Sequence, residues 1–363
     1  MLERARIEPP HARVGWHRIR EWRGRRAPRP HAAIVVPARN EALRVADCLK
    51  ALAAQRGFDR DRMLVVVVAN GCEDATFEIA VRTSVSLDLP CRVLEVSFGA
   101  NHGVGLARRI GVDAARRALP RDGIVATTDA DGRVAPDWLA ATARHLQVAD
   151  AVCGRVEPDA RECATLPEPV RAQALLEATW RRLARRLEDL IDPVPGAAPA
   201  RAHAHAGGAS LAFRLPAYLE IGGFRAMRCD EDRDIVTRLK RAGLRVAHAD
   251  DVLVHASCRL AGRAPGGMAD TLARRADGID DVAGEPIEAC RALLRRLRAR
   301  AACRREDLHG FARRWPAIEA ADPALRRTPV RLSELPAQID ALRRCCESIP
   351  AARPARRAAA GAR

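Results

Sequence analysis

Aromatic residues are scarce in this chain: tyrosine occurs once, and Phe, Trp and Tyr together make up 3 % of its 363 residues. A surface that stacks successive bases on ring faces needs interleaved aromatics. The composition therefore speaks against a single-strand nucleic-acid platform. Lysine is nearly absent as well. Only Lys50 and Lys240 occur, so 60 of the 62 basic residues are arginine. A formal charge of +16 would suit anionic partners, but the arginines are spread along the whole chain rather than gathered in one patch. No CxxC pair occurs among the eleven cysteines, and their number is odd. Zinc-type ligand spacing is thereby excluded, and the thiols read as reduced, in a cytosolic protein. No apolar run reaches the roughly 20 residues of a membrane span. The Arg- and Pro-rich residues 1–30 lack the apolar stretch of a secretory signal. The expectation is a soluble, cytoplasmic protein with no nucleic-acid partner and at most peripheral membrane contact.

What is present is enough for a core. Residues of hydrophobic type make up 48 % of the chain, so Leu, Val and Ala must fill it. Apolar runs at Ala32–Pro37, Met63–Val68 and Cys91–Val96 read as strands, the second continuous enough to be covered on both faces. Helical patterns follow each, the first with Leu43, Ala46, Leu49, Lys50 and Leu52 at helical spacing. Strands alternating with helices imply βαβ units and a largely parallel sheet.

The stretch Ile124-Val-Ala-Thr-Thr-Asp-Ala-Asp-Gly132 organises the rest. A short β-branched strand stops at two carboxylates, Asp129 and Asp131, spaced i and i+2. On extended chain that spacing puts both on one side. Open α/β sheets bind ligands at the carboxyl ends of their strands. Two neighbouring carboxylates repel, and a bound cation relieves them. Oxygen ligands with open positions suit Mg2+ or Mn2+. A plain turn after a strand also takes Asp and Gly, so the other segments must decide.

Gly103-Val-Gly105 opens a helix that carries Arg108 and Arg109, but the dinucleotide fingerprint is missing. From Pro169 to Ile191 one long helix is expected. Its narrow stripe of Leu176, Trp180, Leu183, Leu187 and Leu190 packs on a sheet or a partner helix; a membrane-surface helix is the rival. His203 and His205 lie in the Pro/Ala-rich loop that follows, and two loop histidines alone do not make a metal site. Gly207 to Arg214 has small residues that let a ligand approach the backbone. Cys229-Asp-Glu-Asp-Arg-Asp234 puts more acids at a helix start than capping needs. Short strands are expected at Leu244–Ala247 and Val252–Val254. Four regions result: an N-terminal segment over 1–30, a main domain over 31–265 with a helical insert and loop at 160–206, a helical extension over 266–349, and a disordered tail over 350–363.

Five segments in order carry a family resemblance: Ile34-Val-Val-Pro-Ala-Arg-Asn-Glu41, Asn70-Gly-Cys-Glu-Asp-Ala-Thr76, Thr128-Asp-Ala-Asp-Gly132, Gly208-Ala-Ser-Leu-Ala-Phe-Arg214 with Gly222-Gly-Phe224, and Asp230-Glu-Asp-Arg-Asp234 followed by His255. The chain resembles the family 2 glycosyltransferases over about two-thirds of its length. The resemblance implies the α/β GT-A fold, with a mostly parallel central sheet flanked by helices. It implies transfer of a sugar from a nucleotide-sugar donor to a hydroxyl acceptor that the sequence does not identify, with lipid-linked and small-molecule acceptors both open. Pro37, Ala38, Arg39, Asn40 and Glu41 would line the nucleotide pocket, and Asn70 and Asp74 would meet the base. Arg108 or Arg109 would contact the diphosphate. Asp129, with Ala130 beside it, would reach the ribose or the metal, and Asp131 and His255 would ligate Mg2+ or Mn2+. Gly208, Ala209 and Ser210 would line the donor sugar, and Glu231 or Asp232 would be the catalytic base.

Two departures stand out. Ala69-Asn70 replaces the usual Asp-Asp or Asp-Asn at the base-contacting turn. Arg313-Arg-Trp315 lacks the Gln of the Gln-x-x-Arg-Trp motif of processive synthases, which implies a non-processive enzyme. The alternatives are a sugar-nucleotide-forming nucleotidyltransferase, which usually has a glycine-rich turn after the first strand, and an Arg-rich binder of nucleic acid or membrane.

Overall fold

The computed structural model describes residues 16–99, 102–193, 207–227, 229–260, 268–279, 281–284, 287–308 and 310–349. His203, His205 and the tail from 350 lie outside these. The chain divides into two compact units, Met1–Val170 with His203–Asp280, and Arg171–Ala202 with Asp281–Arg363.

The strands of the first unit are β1 (Trp16–Arg23), β2 (Ala32–Ala38), β3 (Met63–Asn70), β4 (Cys91–Phe98), β5 (Ile124–Thr127), β6 (Arg133–Val134), β7 (Ala151–Pro158), β8 (Leu211–Arg214) and β9 (Val246–Ala256). Among the described residues they form one sheet in the order β1-β4-β3-β2-β5-β8-β7-β9-β6. The central four, β4-β3-β2-β5, run parallel, with Val35 opposite both Val66 and Thr127. β1 adds antiparallel to β4 on one edge. On the other side β8 is antiparallel to both β5 and β7, while β7 and β9 are parallel to each other.

Alternation sends successive valines of β2 and β3 to opposite faces. Ile34, Val36, Val65 and Val67 meet helices α1 (Val45–Ala53), α2 (Thr76–Ser86) and α4 (Trp138–His145). Val35, Val66 and Val68 meet α3 (Gly103–Ala115), α7 (Leu215–Glu220) and α8 (Glu231–Arg241). The buried stripe of α1 is Val45, Cys48, Leu49 and Leu52. Leu43, expected on that face, precedes the helix and is 88 % exposed. Gly111 lets α3 lie directly on the sheet: a Cβ there would stand 2.4 Å from Val35 Cγ1. α5 (Ala160–Ala164), the start of α6 (Glu168–Ile191) and α9 (Met268–Ala276) contribute to a small cluster of Leu166, Val170, Cys258 and Leu272, with Cys163 beside it.

The second unit is helical: α6 from Arg171, α10 (Cys290–Glu306), α11 (Phe311–Ala321) and α12 (Leu335–Ser348). Trp180, Ala184 and Leu187 of α6 are buried with Leu293, Leu297, Leu335, Ile339 and Leu342. Leu176, Leu183 and Leu190 pack against that cluster, so the expected stripe meets partner helices. Asp192 accepts from Arg300 Nε at 2.6 Å and from Arg304 Nε at 2.8 Å. Among the described residues no helix is long and apolar enough to cross a membrane.

Candidate active site

Strand direction decides what meets what. β2, β3 and β5 are parallel, so Ala38, Asn70 and Thr127 end at one edge of the sheet. β8 runs the other way, which brings its start, the turn Gly208–Ser210, to that same edge. β7 and β9 run with β5, so His255 and Arg259 arrive there too. The segment Thr128–Asp131 leaves β5 into the middle of this convergence.

Arg108 lies at its centre. It comes from the second turn of α3 and is buried, with 2 % exposure. Nη2 donates to Asp129 Oδ1 at 2.7 Å, and Nη1 donates to Glu231 Oε1. One guanidinium thus ties the end of β5 to the start of α8. Burial works against its charge, but the neighbouring carboxylates Asp129, Glu231 and Asp232 outweigh this and raise its pKa. Burial raises the pKa of Glu231, with Asp232 and Asp129 adding to the effect and Arg108 opposing it. Gly105 permits the close crossing, since a Cβ there would stand 2.3 Å from the Arg225 carbonyl and 3.0 Å from Glu231 Cβ. The glycines of Gly103-Val-Gly105 therefore have at least one packing role.

Asp232, beside Glu231 but half-buried, accepts from the Gly208 amide at 2.9 Å. The Gly208 carbonyl in turn accepts from Thr127 Oγ1 at 2.8 Å. Ala209 and Ser210 are buried, and Ser210 Oγ accepts from Trp138 Nε1 at 3.0 Å. The small-residue turn is thus fastened to α8, to β5 and to α4. Asp230, just before α8, takes the left-handed conformation with φ 61°, which aspartate tolerates better than most residues.

Asp131 stands in a second cluster. Arg259 Nη1 donates to Glu41 Oε2 at 2.6 Å, and its Nη2 contacts both Glu41 Oε1 and Asp131 Oδ2, the latter at 3.0 Å. Burial pushes the Asp131 carboxyl up, with Asp129 and Glu41 adding and Arg259 opposing, to about 6. Asp131 and His255 line one small open cleft with Gly132, Arg133, Asp159 and Ser257. Among the described residues no three His, Cys, Asp or Glu side chains come together as a complete ligand set. The donors fit a hard cation that takes its remaining ligands from substrate and water. Asp129 and Glu41 add negative charge around Asp131, and Arg259 offsets part of it.

The first turn is built by hydrogen bonds between loops. Pro37 and Ala38 are buried and Arg39 is exposed. Asn40 has φ 53°, and its Oδ1 accepts from the Glu73 amide at 2.8 Å. Asp74 Oδ2 accepts from the Ala42 amide at 3.0 Å, and Thr76 Oγ1 accepts from the Glu41 amide at 2.7 Å. Asn70 Oδ1 is buried with no hydrogen-bond partner among the described residues. Arg109 Nη1 donates to the Phe224 carbonyl at 2.8 Å. Ala130 is buried between the two acids. Arg259 was not among the expected site residues. No local pattern marks it, because it meets Glu41 from 218 positions away.

Residues 33–196 match the family model described as Glycosyl transferase family 2. The family, the enzyme class and the α/β fold expected from the five motifs are thereby borne out. No curated protein matches the chain. Solved structures similar to it include a mannosyltransferase from Pyrobaculum calidifontis in complex with GDP-Man and Mn2+. That one shows 22 % identity and a TM-score of 0.46, with 87 % of this chain and 81 % of that one covered. TarS 1-349 of S. aureus in complex with UDP-GlcNAc shows 15 % identity and a TM-score of 0.46, with 88 % and 81 % covered. Glucosyl-3-phosphoglycerate synthase from Mycobacterium tuberculosis, in complex with Mn2+, UDP and phosphoglyceric acid, shows 17 % identity and a TM-score of 0.41, with 70 % and 81 % covered.

Proposed function

We propose that this glycosyltransferase moves a single sugar from a nucleotide-diphosphate-sugar to a hydroxyl acceptor, with Mg2+ or Mn2+ held at Asp131 and His255. The observation that carries the reading is the meeting of Asp129, the Gly208 turn and the Glu231–Asp232 pair around Arg108, with Asp131 following two residues after Asp129 at the same edge of the sheet. A divalent cation there would offset the charge of the departing nucleoside diphosphate. The turn Pro37–Glu41, with Asn70 and Asp74, lines the nucleotide. Asn70, whose carboxamide oxygen has no hydrogen-bond partner among the described residues, would supply it to a base N–H. Gly208 to Ser210 present backbone to the donor sugar.

Asp232 is the better placed of the two acids to accept the proton of the attacking hydroxyl. It is half-buried, whereas Glu231 is 4 % exposed and closed in by Arg108. Glu231 holds the start of α8, and so Asp232, in position.

The test is a panel of UDP-, GDP-, dTDP- and ADP-sugars, assayed for binding and for hydrolysis with and without Mn2+. One nucleotide class is expected to turn over, and only with metal. Asp131→Ala is expected to abolish that turnover while the melting temperature stays near wild type. Wild-type-like activity in Asp131→Ala would remove the metal assignment, and no turnover of any donor would remove the reaction.

A further inference from the structure

Arg259 belongs to the site but lies outside the five family motifs. It follows β9 by three residues and reaches back across the edge of the sheet. Its planar fork takes both oxygens of Glu41, a two-bonded geometry that satisfies a carboxylate well. One of those two nitrogens, Nη2, also lies 3.0 Å from Asp131 Oδ2. The Arg259 side chain is 13 % exposed, that of Glu41 6 % and that of Asp131 21 %, so water screens the cluster poorly. Two acids converge here, and a fixed positive charge lies between them.

A divalent cation on Asp131 and a guanidinium on the same carboxylate are like charges in a poorly screened place. They compete. We infer that Arg259 is a resident counter-cation: before metal binds, it holds Asp131 and Glu41 together, and metal entry displaces it from Asp131. Arg259 is thus a positioning residue that sets how tightly the site takes metal. Glu41 keeps the displaced guanidinium at the site, because its two-bonded pair does not depend on Asp131. The inference rests on the reading of Asp131 as a metal ligand.

The experiment is Mn2+ binding to the full-length, nucleotide-free protein, followed by the EPR signal of free Mn2+, in wild type, Arg259→Gln and Arg259→Lys. Arg259→Gln removes the charge and keeps a polar side chain. Its Mn2+ Kd is expected to fall about tenfold, or about 1.4 kcal/mol. Arg259→Lys keeps a charge but lacks the fork that spans both acids, and its Kd is expected to fall by a smaller factor. Should Arg259→Gln prove unfolded by circular dichroism, Arg259→Lys carries the test alone. A Kd in the folded variants equal to or weaker than wild type overturns the inference and leaves the metal reading standing. Absence of Mn2+ binding in wild type and variants alike overturns both.

Discussion

Exchange of the two adjacent acids at the start of α8 separates their roles. Asp232→Asn is expected to lower turnover by about 10²-fold or more, the scale of a lost general base, with donor affinity nearly unchanged. Glu231→Gln is expected to cost less in rate and more in stability. It leaves the buried Arg108 short of one charged partner, a loss of about 1–3 kcal/mol. Steady-state kinetics and urea melts on both variants check this, and equal effects on both quantities would refute the division of labour. Asp129, Asp131 and this acid pair were legible in the sequence, because their chemistry is written in neighbouring positions. Arg108 and Arg109 were legible only as a pair. Consecutive helix residues point in directions about 100° apart, and which of them turns to the carboxylates depends on where α8 crosses α3. Arg259 was not legible at all, since nothing in a local pattern says that it will meet Glu41.

The packing of α3 on the sheet depends on having no side chain at Gly111. Gly111→Ala is expected to destabilise by about 1–3 kcal/mol through overpacking against Val35 and Val68, read as a lower urea midpoint at an unchanged slope. The strands themselves were largely readable. Met63–Val68 was expected and Met63–Asn70 is found, because a valine run covered on both faces has few other ways to fold. Leu244–Ala247 and Val252–Val254 were expected as two strands but belong to one stretch of sheet, β9 (Val246–Ala256), with a register shift against Gly154 and Arg155. The irregularity near the acids of the Ala249-Asp-Asp251 stretch is what broke the apolar pattern. β1 was missed. Its charged residues hide the alternation, and such charges are what an edge strand carries. Glu21 is their hub, accepting from Arg92 Nε at 3.0 Å and Arg23 Nε at 2.7 Å. Burial alone would raise its pKa, but the hydrogen bonds from Arg23 and Arg92 outweigh burial and hold it at about 2. Because the folded value lies below the unfolded one, this stabilisation is fully present above the unfolded value of 4.5. It is lost as pH falls through about 2. Glu21→Gln is therefore expected to be less stable than wild type by about 1 kcal/mol at neutral pH. The gap should close on acidification through that window, as measured by urea melts at stepped pH.

At the scale of the whole chain, the second unit is assembled from two separated stretches, Arg171–Ala202 and Asp281–Arg363. The stripe on α6 announced that the helix needs a partner. It did not say which, since α10 begins at Cys290, almost a hundred positions beyond the end of α6. A chain ended after residue 280 keeps the whole sheet but uncovers Trp180 and Leu187, which are now 2 % and 0 % exposed. Such a chain is expected to bind ANS and to elute from size exclusion as aggregates. A monomeric, ANS-silent fragment would contradict this account of α6.

The same discontinuity sets a clock during synthesis. Ribosomes add roughly 5–20 residues per second, so α6 emerges on the order of ten seconds before the last helix that covers it, α12, which ends at Ser348. During that wait its apolar stripe lacks the helices that bury it in the finished unit. Its many arginines keep the opposite side hydrated, and the exposed side is a ready target for a holding chaperone. Slowed translation past residue 280 would then lower the yield of native protein without altering a single contact in the finished molecule.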